Sequence, residues 1–381
     1  MAQQINISSC FDSGNINVIA ADSALDIQLE INKDANSDFY QWFHFRLQST
    51  VGTKHRLRIL NASNAAYAEG WENYQAVASY DRVTWFRVDT DYQDGELVIN
   101  HTPEYSSTYY AYFAPYSYER HLDLLHRVQA SPLCSLQHLG ETIDGRDMTV
   151  AVINDASVSD TNKKVVWIIA RQHPGETMAE WFCEGTLDRL LDEDDAVAKK
   201  LLKLCTFYVV PNMNPDGSAR GHLRTNAVGS NLNREWLEPS MDKSPEVFLV
   251  RQKMLETGID VFLDIHGDEA IPYNFVAGCE GIVSYDALHK AKEDGFKASF
   301  LSASPDFQTI EGYDADEPSK ANPTIGSAWV GEQFKCLSFT LEMPFKDNDG
   351  LPDSVFGWSA ERSYGLGEAV LIPVLETIRK F

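Results

Sequence analysis

The chain has 381 residues, of which 44% are hydrophobic and 23% charged. These fractions are close to the averages of folded globular proteins, so they exclude extensive disorder and a coiled coil. The formal net charge of −24, from 32 Lys and Arg against 56 Asp and Glu, would repel a phosphate backbone and argues against nucleic acid as a partner. The length favours two domains.

The amino-terminal stretch MAQQINISSCFDSGNINVIA has no basic start followed by an apolar run. No stretch reaches the roughly 18 consecutive apolar residues that a membrane helix requires. We therefore expect an unexported, soluble protein of the cytoplasm with no membrane partner. The six cysteines show no C-x-x-C spacing and several lie in apolar runs, which predicts reduced core residues rather than a disulfide framework. They are Cys10, Cys134, Cys183, Cys205, Cys279 and Cys336.

The first 118 residues contain short segments in which apolar and polar residues alternate, separated by Gly, Asn, Asp and Ser clusters. The segments are LDIQLEI, FYQWFHFRLQ, HRLRIL, TWFRVD and ELVINH. This pattern predicts an antiparallel β-sandwich or small barrel over residues 1–118. Aromatic residues then crowd around Pro115 in YYAYFAPYSYER, and we predict that they pack a seam between domains rather than form a ligand platform.

The pattern changes after residue 118. ERHLDLLHRVQA has helical spacing and is expected to begin a second domain, residues 119–381. Apolar runs that end in polar residues then alternate with helical patterns at 176–191, 245–256 and 364–380. The runs are MTVAVIND, VVWIIARQ, TFYVVPN, VFLDIHG and LSFTLEMP. They predict an α/β domain with a mixed, mostly parallel sheet, whose ligand site lies outside the carboxyl ends of the strands.

Two of these runs end at a histidine. His173 follows VVWIIA in ARQHPGET, His266 lies at the end of VFLDI, and Glu176 stands three residues after His173. A His, Glu, His set leaves one tetrahedral position of a zinc ion open, as catalytic zinc sites do. Each residue also has a structural interpretation: a loop histidine, a strand-end histidine, and a first-turn carboxylate favoured by the helix dipole.

The loop after TFYVVP is rich in Gly and Asn and carries Arg220, Arg224, Asn231, Asn233 and Arg234. An arginine beside an amide suits the binding of a carboxylate, and a second arginine could stabilise an oxyanion. Loops of this composition are also typical of plain turns.

Glu342 interrupts the apolar run CLSFTLEMPF. A carboxylate buried in a strand without a partner is costly, so its presence needs a reason. A general base that activates water at a metal site supplies one.

The ordered motifs HPGE, NPDG, NLNREW, DIHG and FTLE resemble those of the zinc carboxypeptidases of the carboxypeptidase A superfamily, peptidase M14. The similarity is greatest to the cytosolic carboxypeptidase branch and its bacterial homologues. The segments FYQWFHFRL and YFAPYSYERHL resemble the amino-terminal β-sandwich of that branch. The resemblance implies one zinc ion bound by His173, Glu176 and His266. It further implies that Arg224 polarises the scissile carbonyl, that Asn233 and Arg234 hold the substrate's terminal carboxylate, and that Glu342 is the general base. Arg220, four residues from Arg224, remains an alternative.

Some positions depart from the family pattern. Gly175 stands where digestive relatives have an arginine, and Tyr313 is too distant in sequence to be assigned as their mobile tyrosine. Ser327 is expected near the floor of the specificity pocket. No Lys or Arg lies between Asn322 and Phe334, so the sequence supports neither polyglutamate trimming nor a digestive preference.

The leading hypothesis is a metallocarboxypeptidase that removes amino acids from the C-termini, or from side-chain linkages, of peptides and proteins. One alternative is hydrolysis of N-acyl amino acids or amides, as in desuccinylases and aspartoacylases, although those smaller enzymes lack the front sandwich. The other is a catalytically silent binding protein, since a fold does not fix a function. The intact set of site residues argues against it.

Overall fold

The computed structural model describes residues 5–159 and 163–380. In its amino-terminal part, ten strands form two five-stranded sheets, ordered β1-β4-β10-β6-β7 and β2-β3-β5-β9-β8. The strands are β1 (Asn6–Ser8), β2 (Asn17–Ala20), β3 (Ile27–Glu30), β4 (His44–Gln48), β5 (His55–Ile59), β6 (Val77–Ser79), β7 (Phe86–Arg87), β8 (Thr90–Gln93), β9 (Glu96–His101) and β10 (Ser107–Ala111). Residues Ala62–Asn64 and Ala68–Trp71 form short 3₁₀ helices.

The predicted sandwich is confirmed, with two differences. Strands β3 and β5 pair in parallel, so the second sheet is mixed. The segment TWFRVD contributes only the two residues of β7 to the first sheet. Its Arg87 instead donates its backbone N–H to Val355 O, at 2.8 Å, and its guanidinium to Trp358 O, at 2.9 Å, both in the second domain.

The second domain contains one seven-stranded sheet, ordered β11-β12-β14-β13-β15-β17-β16. Strands β14, β13, β15 and β17 are parallel neighbours, while the outer strands pair antiparallel, so the predicted mixed sheet is confirmed. Its strands are β11 (Cys134–Glu141), β12 (Asp147–Ile153), β13 (Lys164–Ala170), β14 (Cys205–Val210), β15 (Val261–Asp268), β16 (Phe275–Ala277) and β17 (Leu337–Pro344). The four parallel strands are almost wholly buried, which explains why their sequences are nearly continuous apolar runs.

The helices of this domain pack around the sheet. They are α1 (Tyr118–Val128), α2 (Met178–Leu190), α3 (Ala196–Leu204), α4 (Pro215–Arg220), α5 (Pro245–Thr257), α6 (Ala287–Ala303), α7 (Gly326–Phe334), α8 (Ala360–Ala369) and α9 (Leu371–Ile378). A 3₁₀ turn covers Leu232–Arg234. No helix in the described ranges is long and apolar enough to cross a membrane.

Two predicted helix boundaries were wrong. Helix α2 begins at Met178 rather than at Glu176, because Glu176 and Thr177 lie in the turn that leads into it. The predicted helix 364–380 is two helices divided at Val370. Pro373 has no N–H to bond the carbonyl of residue 369, so it fits the first turn of a new helix but cannot continue an old one.

The cysteine prediction holds for four of the six positions. Cys183, Cys205, Cys279 and Cys336 are buried, and all six are free thiols. Cys10 is exposed, so its prediction as a core residue is wrong. It follows strand β1, which is itself exposed or half-buried.

Aromatic residues pack the seam between the two domains, as predicted. Tyr112 stacks on Phe345 with ring centroids 4.4 Å apart, and Tyr116 contacts Trp181 at 4.8 Å. Tyr110 differs, because it stacks on Phe45 inside the sandwich.

Polar contacts also cross the seam. The Asp34 carboxylate of the sandwich accepts backbone hydrogen bonds from Leu223, Arg224 and Thr225, at 2.7, 2.8 and 2.9 Å. The amino-terminal domain therefore fixes the position of a loop in the second domain.

Candidate metal centre

Three side chains converge at the carboxyl edge of the sheet. His173 Nδ1 lies 2.6 Å from Glu176 Oε1, and His266 Nδ1 lies 2.8 Å from Glu176 Oε2. One donor atom from each residue falls within 4.8 Å of the others, and all three residues are buried. Two imidazole nitrogens and a carboxylate oxygen are a donor set that suits zinc.

The local fold explains how His173 and Glu176 come together. The chain leaves β13 through Arg171, whose φ of 59° turns it sharply. The buried guanidinium of Arg171 donates to Pro174 O at 2.9 Å and to Glu180 Oε2 at 2.7 Å, which fixes the turn against helix α2. A Cβ at Gly175 would lie 2.9 Å from Leu223 O, so this position has no room for the arginine of digestive relatives.

The second nitrogen of each imidazole also has an oxygen partner. His173 Nε2 lies 3.1 Å from Asn231 Oδ1. His266 Nε2 lies 3.0 Å from Asp264 Oδ1, a charge contact without hydrogen-bond geometry, since that oxygen has no hydrogen-bond partner among the described residues. Such outer contacts fix the orientation of a ligating ring and raise its basicity. Asp264 was missed from the sequence, although it is a charged residue inside an apolar strand, the same signal that singled out Glu342.

The charges of the three residues depend on one another. Burial and the nearby Arg224 guanidinium lower the pKa of His173 to about 4. Burial acts in the same direction on His266, but the carboxylates of Asp264 and Glu176 outweigh it and raise the pKa of that ring well above its ordinary value. Burial would raise the pKa of Glu176, yet the two rings hold it well below its usual range. A metal ion held by these residues would compete with the proton on His266.

Glu342 lies next to this set because of strand register. Strands β15 and β17 are parallel, and His266 is paired directly with Glu342. The Glu342 side chain is 6% exposed, and its Oε2 has no hydrogen-bond partner among the described residues. Burial, together with the negative charges of Glu176, Asp268 and Glu269, raises its pKa well above the ordinary value, against the opposing effect of His266.

The two candidate arginines of the Gly- and Asn-rich loop have different surroundings. Arg224 lines the cavity that contains the metal-binding set, and its guanidinium lies over the rings of Phe39 and Tyr67 at about 5.5 Å. Arg220 donates instead to Asp144, at 2.9 and 2.7 Å. The geometry therefore favours Arg224 for contact with a ligand in the cavity.

Asn233 and Arg234 line the same cavity. Asn233 Oδ1 accepts a hydrogen bond from Gly326 N at 2.8 Å, and its Nδ2 lies 3.4 Å from His266 Nε2. Arg234 is partly buried, and burial together with the neighbouring Arg224 lowers its pKa. Two guanidinium groups that have no carboxylate partner among the described residues therefore face one cavity, which suits an anionic ligand.

The cavity has a volume of about 560 Å³. Ser327 lies on its wall, where its hydroxyl bonds Thr340 Oγ1 at 2.8 Å. The sandwich contributes Tyr67 and Glu69 to the opposite side, a contribution that no motif predicted.

Tyr313 also lines the cavity, although it stands 29 positions before Glu342 in the sequence. Its hydroxyl donates to Asp268 Oδ2 at 2.5 Å, and its ring contacts Phe275 edge-on at 4.9 Å. Sequence distance left Tyr313 unassigned, but the long loop before α7 folds back and brings it into the site. Among the functional candidates, this residue had no local signal that could have found it.

Comparison with known proteins agrees with this geometry. Residues 7–113 match the cytosolic carboxypeptidase N-terminal domain, and residues 119–358 match the zinc carboxypeptidase family. An uncharacterized protein of Zymomonas mobilis is 47% identical over 98% of this chain and 97% of its own length.

Solved structures give the same result. A metallo-carboxypeptidase from Burkholderia cenocepacia is 49% identical with a TM-score of 0.97, covering 99% of this chain and 100% of that one. A metallo-carboxypeptidase from Pseudomonas aeruginosa, solved in complex with (2-guanidinoethylmercapto)succinic acid, is 44% identical with a TM-score of 0.94, covering 97% and 98% of the two chains. The chain belongs to the zinc carboxypeptidase family, peptidase M14, with an amino-terminal domain of the cytosolic carboxypeptidase type.

Proposed function

We propose that this protein is a zinc-dependent metallocarboxypeptidase that hydrolyses the last peptide bond of peptides or proteins in the cytoplasm. The observation that carries the proposal is the buried, unpartnered carboxyl of Glu342, which stands in register with His266 and in the same cavity as two arginines. A metal donor set, a base and an anion-binding group in one cavity are the parts that this hydrolysis requires.

Each group has a proposed role. His173, Glu176 and His266 would hold one zinc ion, which when bound supplies Lewis-acid activation of water and of the scissile carbonyl. Glu342 accepts a proton from the attacking water and passes it to the leaving amine.

The remaining residues position the substrate. Asn233 and Arg234 hold the terminal carboxylate, and Arg224 stabilises the negative charge that develops on the carbonyl oxygen. Ser327 lies at the floor of the pocket for the terminal side chain. The ligand of the Pseudomonas relative, a dicarboxylic acid with a guanidinium group, supports an anion-binding role for this cavity.

We also propose that the domains divide between residues 118 and 119. This division is supported by the two family matches, which end at residue 113 and begin at residue 119, and by helix α1, which begins at Tyr118.

The experiment is mass-spectrometric analysis of C-terminal trimming on mixed peptides by zinc-loaded protein, with Arg234→Lys and Arg220→Lys as a matched pair. Arg234→Lys keeps the charge but removes the bidentate contact, and we expect kcat/KM to fall roughly 10- to 100-fold. Arg220→Lys, which alters the contact with Asp144 outside the cavity, should remain within about threefold of the parent.

Absence of any released C-terminal residue from the zinc-loaded parent protein would contradict the proposal. Release of amino acids from N-acyl amino acids in place of peptides would favour an acyl amino acid hydrolase. Unchanged trimming by Arg234→Lys would remove that residue from the carboxylate-binding group.

A further inference from the structure

The cavity of the metal centre extends from the metal-binding residues to a second group of charged residues. Carboxylates line it beside the arginines as well, among them Asp268, Glu269 and Glu342. Arg224 and Arg234 lie near the metal-binding residues, and no described residue forms a salt bridge with either. The other end is lined by Glu280, Lys297, Asp314 and Asp316, which stand on the β16–α6 connection, on α6 and on the loop that follows α6. We call this group of four residues the acidic end.

The one lysine of the acidic end already has carboxylate partners. Lys297 Nζ lies 2.5 Å from Glu293 Oε1 and 3.8 Å from Glu280 Oε1. Glu293 is 3% exposed and accepts a further hydrogen bond from the Tyr285 hydroxyl at 3.0 Å. Burial and the nearby Glu280 raise the pKa of Glu293 to about 6, against the opposing effect of Lys297. The ammonium group of Lys297 is therefore neutralised by a buried neighbour and is a poor anchor for an acidic side chain.

The loop that carries Asp316 lies close to Glu280. Burial raises the pKa of the Cys279 thiol to about 12, and the charges of Glu293, Glu280 and Asp316 act in the same direction. A Cβ at Gly281 would lie 2.4 Å from Cβ of Asp316, so the loop that carries Asp316 packs closely against the residue after Glu280. Two of these carboxylates, those of Glu293 and Glu280, contact the Lys297 ammonium group.

A continuous wall connects this end to the anion-binding end. Asn233 accepts from the N–H of Gly326, Ser327 follows directly, and the Cys279 thiol donates to Ser327 O at 3.3 Å. The hydroxyls of Ser327 and Thr340 bond each other and add no charge. A terminal residue whose carboxylate is held by Asn233 and Arg234 would extend its side chain along this wall toward Glu280.

We infer that the terminal residue preferred by this protein carries a cationic side chain, and that Glu280 is a specificity-determining residue for it. This inference rests on the proposed function, because the same cavity holds the buried, unpartnered Glu342 and the arginines that place the terminal carboxylate. The carboxylates of the acidic end would repel an acidic terminal residue. Lys297 would not offset this repulsion, because its charge is already compensated.

The test compares peptides that differ only in charge at the terminal side chain: arginine against its neutral analogue citrulline, and glutamate against glutamine. Dissociation constants are measured on zinc-loaded Glu342→Gln protein, so the readout does not depend on turnover, and kcat/KM is measured on the parent. We expect arginine to be favoured over citrulline by about tenfold or more in both quantities, and glutamate to be disfavoured against glutamine.

Two variants test the residues. Glu280→Gln should reduce the arginine-to-citrulline ratio to within about threefold, because the arginine peptide loses more affinity than the citrulline peptide. Lys297→Met should increase the ratio, because it releases the charges of Glu293 and Glu280. A preference for glutamate, or an equal loss for both peptides in Glu280→Gln, would overturn the inference.

The outcomes separate the two proposals. Hydrolysis without an arginine preference contradicts the charge selection alone. Binding with an arginine preference but without hydrolysis contradicts the proposed activity alone. Absence of binding by any of the four peptides contradicts both.

Discussion

Both domains bury histidines, but the two groups differ in their partners. In the sandwich, His44 bonds the Ser13 hydroxyl at 3.0 Å and has no partner at Nε2, and His55 has no partner at either ring nitrogen among the described residues. At the sheet edge of the second domain, His173 and His266 share one carboxylate, and each has a further oxygen partner at the other nitrogen. A buried histidine alone is usually a structural element, and two that converge on one carboxylate form a candidate ligand site.

The pKa shifts of His44 and His266, one from each group, are opposite in sign. Burial lowers the pKa of His44 to about 3, so its ring is neutral at every physiological pH. Carboxylates raise the pKa of His266 despite the same burial. The contacts of His121 differ from both, because its Nδ1 lies 2.6 Å from Glu180 Oε1 and no second histidine of the described residues joins that pair.

The largest expected effect is a difference in zinc content between variants of the two groups of histidines. His266→Ala removes one of three donors and should reduce bound zinc from one ion per chain to none, with loss of peptidase activity. His44→Asn should keep one zinc ion per chain, since His44 lies outside the donor set. Metal content after dialysis measures both, and zinc retained by His266→Ala at full stoichiometry would contradict the ligand assignment.

The next largest effect tests the proposed general base while the metal site stays intact. Glu342→Gln keeps the size of the side chain but cannot accept the proton, so kcat should fall roughly 10²- to 10⁴-fold. Zinc content should remain at the parent value. Single-turnover kinetics with metal analysis measure both quantities, and a fall below threefold would remove Glu342 from the proton transfer.

A smaller effect concerns the outer contacts that distinguish the ligating histidines. Asp264→Asn keeps the shape of the contact with His266 Nε2 but removes its charge, and zinc affinity should weaken about 10- to 100-fold. Competition with a chelator of known affinity measures this change. Affinity within twofold of the parent would show that Asp264 orients no ligand.

The smallest effect lies in the sandwich. His44 is neutral when folded and gains a proton when unfolded, so unfolding takes up protons as the pH falls below about 6.5. Lowering the pH from 7 to 5.5 should therefore cost about 1 kcal/mol of unfolding free energy through this one ring. Denaturant titrations at both pH values should show a loss smaller by that amount in His44→Asn. Equal losses in the two proteins would contradict a neutral His44.

The sequence predicted the architecture and much of the site from local patterns. Alternating segments indicated the sandwich, because one face of each strand is buried and the other is not. Continuous apolar runs indicated buried parallel strands, and the polar residues that end them had to meet, since parallel strands present their carboxyl ends at one edge. His173 and His266 were predicted in this way, and Glu342 was predicted because it interrupts an apolar run.

Other features of the cavity could not be placed from local sequence patterns. Arg224 and Arg220 are four residues apart in the same loop, and only the fold shows that one lines the cavity and the other pairs with Asp144. Tyr67 reaches the cavity from another domain. Such positions depend on how distant elements pack, and neither periodicity nor spacing records that.

The charge of the cavity shows the same division most clearly. The absence of Lys and Arg between residues 322 and 334 was correct as a statement about the sequence, yet helix α6 brings Lys297 into the cavity from outside that range. The tertiary structure also supplies Glu293, which neutralises that lysine, and Glu280 beside it. The sequence determined which chemical groups the strands deliver to the sheet edge, because strand direction fixes where they end. Only the tertiary structure decided the charge that a substrate side chain meets, because that charge is a sum over elements far apart in the chain.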